Sequence, residues 1–172
     1  MTKKEDLYTP ELDLENRISY RFAMHAETSM RCLAAMFTKK YSLTVAGWQV
    51  LAVIGRFEPM FPTDVAARTS MHADKVTRTV DVLVRNRWVA REPDTEDRRR
   101  IILKLTAKGK QTYEEIDRVR RILETEVLGR LSAQERRVFF QALGKIEAAT
   151  RELFPDRDSW KTVVKNYESR HG

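Results

Sequence analysis

Between Pro62 and Leu105 the apolar residues switch from helical spacing to alternation by two, with a run of charge between the alternating stretches. Pro62 suits the first position of a short helix over 62–69, where its missing N–H has no intrahelical partner to lose. Asp64 then sits in the first turn, facing the positive helix end. After Arg68-Thr69-Ser70-Met71, the residues Val76, Val80, Leu83 and Val84 trace a narrow stripe along a second helical pattern, 73–87. Its outer face carries Lys75, Thr77, Arg78, Asp81 and Arg85. Trp88-Val89-Ala90-Arg91-Glu92 reads as a short strand, Pro93 to Arg99 as a charged turn, and Ile101, Leu103 and Leu105 as one face of a second strand. This order stands a two-stranded ribbon off a pair of short helices.

The flanking sequence is helical. Residues 11–39 hold no Pro or Gly, and Leu14, Ile18, Phe22, Met30, Leu33 and Phe37 are spaced by three, four or a multiple of them. Residues 44–57 follow, with Thr44 as N-cap and Trp48, Leu51 and Ile54 in one stripe, until Glu58-Pro59 ends the helix. Beyond Thr106, Tyr113, Ile116, Val119, Leu123, Val127 and Leu131 mark another stripe. Ser132 with Glu135 forms a capping box for a last long helix, which places Phe139, Leu143, Ile146 and Leu153 on a buried side before Pro155 stops it. Trp160, Val163, Val164 and Tyr167 keep helical spacing in the tail, 156–172.

Composition excludes several classes. With 42% hydrophobic residues among 172, the chain can bury a core and is not disordered. No run of 18 apolar residues exists, and the polar start MTKKEDLYTPELD is not a secretory signal, so a soluble cytoplasmic protein with no membrane association is expected. One Cys excludes an intramolecular disulfide and a multi-Cys zinc module. His25, Thr28, Ser29 and Cys32 share a face of the first helix, but His72 and His171 are far away in sequence, so no metal is expected. Cys32, next to Leu33-Ala34-Ala35-Met36, is expected to be a buried, inert thiol, with redox sensing through it as the alternative. No phosphate-binding glycine loop, zinc spacing, or nucleophile with a nearby His is present, so neither an enzyme nor a cofactor is expected.

The net charge of +7 suits an anionic partner, nucleic acid before membrane surface. The excess is spread along the chain, so the local pattern has to decide. Short helix, tight turn, second helix and basic hairpin make the layout of a winged helix-turn-helix. A helix fits the major groove and offers its first turns to base edges, while a thin hairpin reaches the narrow minor groove, whose negative potential favours Arg. The tip Asp94-Thr95-Glu96-Asp97-Arg98-Arg99-Arg100 supplies three consecutive arginines beside carboxylates able to orient them.

From Leu43 to Gly109 the chain resembles the MarR family of bacterial transcriptional regulators. The resemblance rests on Leu43-Thr44 followed by Trp48 and Leu51, on Asp64-Val65-Ala66, and on Val76-Thr77-Arg78 followed by Asp81 and Leu83. It continues with Val89 and Arg91, Asp97-Arg98-Arg99, Leu105-Thr106 and Gly109. It implies a mainly α winged helix-turn-helix with long dimerisation helices. The division is then 1–42 for the N-terminal dimerisation helix, 43–106 for the DNA-binding lobe, and 107–172 for the C-terminal dimerisation helices and tail. It also implies a homodimer on a pseudo-palindromic operator in double-stranded DNA, a repressor released by a small aromatic acid or other phenolic.

Carried onto this sequence, the resemblance places the base-reading positions at Ala73, Asp74, Lys75, Thr77 and Arg78. The wing's Asp-x-Arg pair falls on Asp97 and Arg99, with Arg98 or Arg100 as alternatives for the minor-groove role. Where the family usually has Gly after the recognition helix, Arg87 follows Asn86. Asn tolerates left-handed backbone better than Arg, so the cap is expected to shift to Asn86. His25, Ser29, Trp48 and Tyr113 are candidates to line an effector pocket, with Arg17 or Arg21 as carboxylate partner. The arginines also leave room for an acyl-CoA. A winged helix used only for protein–protein contact remains the other alternative.

Overall fold

The computed structural model describes residues 13–171. A single 3-10 turn at Leu14–Asn16 precedes α1 (Ile18–Tyr41). The helix expected over 11–39 thus begins later and ends slightly further on, with residues 11 and 12 outside the described part. Ser42, in the left-handed conformation (φ 55°), turns the chain into α2 (Val45–Phe57), where the Thr44 hydroxyl accepts from Gly47 N–H at 3.0 Å. Next come α3 (Pro62–Thr69), with Pro62 in its first turn, and α4 (Ala73–Arg85). Strands β1 (Val89–Pro93) and β2 (Ile101–Leu105) pair antiparallel in the register Val89↔Leu105 to Pro93↔Ile101. Three helices follow, α5 (Ala107–Leu128), α6 (Ala133–Leu153) and α7 (Ser159–His171).

Two compact units divide at Arg121/Ile122. In the first, the stripes of α2, α3 and α4 close on one core: Trp48, Val50, Leu51, Ile54, Val65, Val76, Val80 and Leu83 are all buried. Each such side chain contributes about 1.5–3 kcal/mol by leaving water. Trp88, Val89, Leu103, Leu105 and Ile116 complete it. The inward alternation expected for β2 holds at Leu103 and Leu105 only. Ile101 is exposed and Ile102 buried, so the alternation breaks at the outer end of the ribbon. In α1 only Leu33 and Phe37 are buried, whereas Ile18 and Phe22 are exposed.

In the second unit the capping box forms as expected. Ser132 Oγ accepts from Glu135 N–H at 3.2 Å and Ser132 N–H donates to Glu135 Oε2 at 2.8 Å. The expected burial does not. No residue of α6 is buried, and Phe139, Ile146 and Leu153 are exposed, as is Val127 near the end of α5. Helical periodicity reports an amphipathic face; it does not report what covers that face.

Candidate nucleic-acid interface

The helix pair α3–α4 turns at Ser70 (φ 53°), and His72 precedes α4 as its N-cap. The buried stripe of Val76, Val80 and Leu83 fixes how α4 is rotated, which leaves Ala73, Asp74, Lys75, Thr77 and Arg78 on the exposed side. The Lys75 ammonium and the Arg78 guanidinium have no hydrogen bond or ion pair within the described residues. Thr77 differs: its hydroxyl donates to Ala73 O at 3.0 Å, so toward an outside partner it can only accept or offer its methyl group. A crevice of about 540 Å³ separates Lys75 and Arg78 from the α1–α2 turn at Ser42, Leu43 and Thr44.

Three ties set the wing against these helices. Arg91 on β1 pairs with Asp81 on α4 at 2.6 Å. Met60, just before α3, exchanges two backbone hydrogen bonds with Leu103 on β2 (3.1 and 2.8 Å). Glu58 Oε2 accepts from Leu105 N–H at 2.6 Å, and Glu58 lies 3.4 Å from the Lys110 ammonium. Both partners of the Asp81–Arg91 pair are about 40–45% exposed, so it adds little stability. Its effect is geometric, since it fixes the ribbon's base to α4.

At the tip, Asp94 N–H donates to Arg100 O at 2.9 Å and Arg100 N–H to Asp97 O at 2.8 Å. Asp97 Oδ1 accepts from the Arg99 backbone N–H at 3.0 Å, so the carboxylate shapes the turn instead of gripping a guanidinium. The side chains of Arg98 and Arg99 are exposed and have no ion-pair or ring partner within the described residues. Arg100 stands apart, its guanidinium 3.6 Å from the Phe61 ring centroid. Phe61 and the Asp81–Arg91 pairing were not part of the sequence expectation. The acid and base on facing elements were a usable signal for the pair, but nothing local marks Phe61.

The cap of α4 falls at Asn86 as expected, but the left-handed conformation expected with it does not. Asn86 is the C-cap with φ −83°, and the left-handed residue is Arg87 itself at φ 60°. Arg87 N–H donates to Val84 O and Trp88 N–H to Leu83 O, both at 2.9 Å, a complete Schellman motif with Arg at the glycine position. Thr106 Oγ1 donates to Arg87 O at 2.6 Å and Lys108 donates to Asn86 O at 3.0 Å, which hold the strained exit closed.

The candidate effector residues separate into two groups. Trp48 is buried and stacks on half-buried Tyr113 with ring centroids 6.2 Å apart, and Phe37 flanks Trp48 at 6.1 Å. His25 lies twelve residues up α1 from Phe37, about 18 Å at 1.5 Å per residue. Arg17, Arg21, His25 and Ser29 share no hydrogen bond, ion pair or ring contact with Trp48 or Tyr113 within the described residues. Cys32 is exposed, which corrects the expectation of a buried thiol; Leu33, the next residue, is buried and lies about 100° around the helix from it. Close to the aromatic stack, Tyr41 Oη donates to Glu115 Oε2 at 2.5 Å and the Lys40 ammonium pairs with the same carboxylate. Lys40 first and Tyr41 second hold that carboxyl below the usual glutamate range.

No group of three or more His, Cys, Asp or Glu able to hold a metal ion occurs among the described residues, and no described helix is long and apolar enough to cross a membrane. Residues 41–100 match the family model described as MarR family, whose members are transcription regulators and not enzymes. An uncharacterized HTH-type transcriptional regulator, YwoH of Bacillus subtilis (strain 168), is 29% identical over 99 residues, 58% of this chain and 72% of the relative. The HTH-type transcriptional repressor YetL of the same organism is 31% identical over 85 residues, 49% of this chain and 51% of its own length. The chain therefore spans from about half to under three quarters of these two curated relatives. The reduced form of MarR from E. coli superposes with a TM-score of 0.63 at 26% identity, covering 76% of this chain and 96% of that one. The S. aureus MepR–DNA complex shares the fold, with a TM-score of 0.70 at 19% identity over 80% and 99% of the two chains.

Proposed function

We propose, from the premise that residues 41–100 belong to the MarR family, that this chain is a homodimeric, DNA-binding transcriptional regulator of the cytoplasm. Helix α4 enters the major groove through Ala73, Asp74, Lys75, Thr77 and Arg78, and the wing brings its arginines to the adjoining minor groove. The observation that carries this reading is a set of exposed cations with no ion-pair partner among the described residues. Lys75 and Arg78 on α4, and Arg98 and Arg99 at the tip, sit on two elements tied together by Asp81–Arg91. Such cations bind phosphate and base edges by releasing counterions.

Residues 1–42 and 107–172 supply dimerisation in this reading. The exposed apolar residues Phe22 in the first unit and Phe139, Ile146 and Leu153 in the second support it, because a second copy would remove them from water. Two recognition helices would then meet half-sites about 34–36 Å apart on a pseudo-palindromic operator. The chain acts as a repressor released when a small aromatic acid, or its acyl-CoA thioester, favours a dimer with another spacing. Trp48 and Tyr113 at the aromatic stack, and separately Arg17, Arg21, His25 and Ser29 along α1 from its N-cap, are the two sets of candidate effector contacts.

A gel shift with the DNA upstream of the chain's own gene tests the reading. A complex that resists nonspecific competitor and weakens steeply with salt is expected. Its absence, or indifference of partner binding to alanine at Arg98, Arg99 and Arg100, would point to a winged helix used for protein contact. A thermal-shift screen of aromatic acids and their thioesters tests the effector class, since a ligand of the native state raises the melting temperature. The exposure of Cys32 favours a second reading, redox sensing; loss of the DNA complex on peroxide treatment, abolished by Cys32→Ser, would establish it.

A further inference from the structure

The three arginines of the wing tip are consecutive in sequence and differ in their surroundings. Arg98 and Arg99 extend from the turn without a side-chain partner among the described residues, while the Arg100 guanidinium covers the Phe61 ring at 3.6 Å. A cation over an aromatic face is attracted by the ring quadrupole, and a planar guanidinium also stacks there. Both ends of this contact are held by backbone. Phe61 directly follows Met60, which is paired to Leu103 on β2, and it is the N-cap of α3. Arg100 is the residue whose N–H and C=O close the tip onto Asp97 and Asp94. The contact therefore joins the least supported part of the ribbon to the start of the helix-turn-helix.

We propose that Arg100 is a positioning residue: it clamps the wing tip to Phe61, so that Arg98 and Arg99 are the arginines presented to DNA. The role in presentation rests on the DNA-binding reading above, but the clamp does not. An arginine stacked on Phe61 cannot at the same time lie deep in a minor groove. The tip thus commits one of its three charges to the protein and offers two.

The clamp is tested first without DNA. In the free protein, the Arg100 side-chain protons should be shifted upfield by the Phe61 ring current; the shift should vanish in Phe61→Leu and persist in Phe61→Tyr. Unshifted Arg100 protons would overturn the proposal. The second arm uses a duplex from the chain's own upstream region, with melting curves confirming that each variant is folded. Arg100→Ala and Phe61→Leu should each weaken binding by about two- to fivefold, the double variant should be no weaker than either, and Phe61→Tyr should bind like the parent chain. The slope of log K against log salt should stay at the parent value for Arg100→Ala and fall by about 0.9 for Arg98→Ala or Arg99→Ala. A reduced slope for Arg100→Ala, or an undiminished effect of it in the Phe61→Leu background, would make Arg100 a DNA contact and refute the clamp's role. Failure of the parent chain to bind any duplex would remove the DNA reading, and the presentation role with it, while the ring-current arm still decides whether the clamp exists.

Discussion

A Cβ on Gly109 would lie 1.9 Å from the carbonyl oxygen of Trp88, a separation no real side chain adopts. That carbonyl is not free to retreat. It accepts from Thr106 N–H at 3.0 Å, where β2 hands the chain over to α5, and Trp88 itself is buried. Gly109→Ala should therefore destabilise the protein by about 2–3 kcal/mol, even though alanine is the better helix former. Chemical denaturation of the two proteins measures it, and equal midpoints would show that the approach relaxes at no cost.

The next residue pair along this junction gives the opposite sign. Arg87 holds φ 60° because the Schellman bonds and the Thr106 hydroxyl demand it, and a side chain in that conformation is strained by about 1 kcal/mol. Arg87→Gly relieves the strain but releases extra freedom in the unfolded chain. The net expectation is a gain of up to about 1 kcal/mol, read as a raised melting temperature with unchanged far-UV dichroism. A lower melting temperature would mean that the Arg87 side chain contributes more than its backbone loses.

These two positions mark where the sequence was legible and where it was not. Signals confined to a few residues translated directly: the Thr44 cap, Pro62 at the start of α3, the Ser132–Glu135 box and the charged tip between two strands. Arg87 misled because the choice between it and Asn86 is made by Leu83, Val84 and Thr106 together, not by the local preference of Asn. Phe61 and Arg100 are far apart in sequence and meet only because Met60 pairs with Leu103. The stripe of α6 is apolar as expected but not buried, and the apolar neighbours of Cys32 in sequence do not bury its thiol. Spacing describes one helix and is silent on its neighbours.

The carboxylate of Glu115 gives a pH prediction. Hydrogen bonds from Lys40 and then Tyr41 depress its pKa, so its contribution to stability is fully present above the usual glutamate range, about pH 4.3, and is lost as pH falls through the lower folded value. Lys40 is raised, chiefly by Glu115, and Tyr41 is raised by burial and then by Glu115. Their contributions are present below the usual lysine and tyrosine values and are lost as pH climbs through the folded ones. The stability difference between the parent chain and Glu115→Gln should be largest near neutrality and shrink toward both extremes. Urea midpoints measured at about pH 3, 7 and 11 check this, and a gap that stays constant across them would exclude the linkage.

Arg78 and Thr77 lie side by side on the exposed face of α4, and their hydrogen bonding divides their expected roles in operator binding. The Thr77 hydroxyl has spent its proton on Ala73 O, so it is limited to accepting from a base or touching a thymine methyl group. The Arg78 guanidinium has no hydrogen bond or ion pair within the described residues and retains its five donors for the O6/N7 edge of a guanine or for phosphate. Arg78→Ala should leave folding stability within about 0.5 kcal/mol of the parent, because it removes an exposed side chain with no hydrogen bond or ion pair within the described residues. It should weaken the preferred duplex by about 1–3 kcal/mol and flatten discrimination at one base pair per half-site. Binding constants for a set of single-base variants of the operator measure both effects. A loss that is the same for every duplex, with a reduced salt slope, would assign Arg78 to the phosphate backbone and leave base reading to its neighbours on α4.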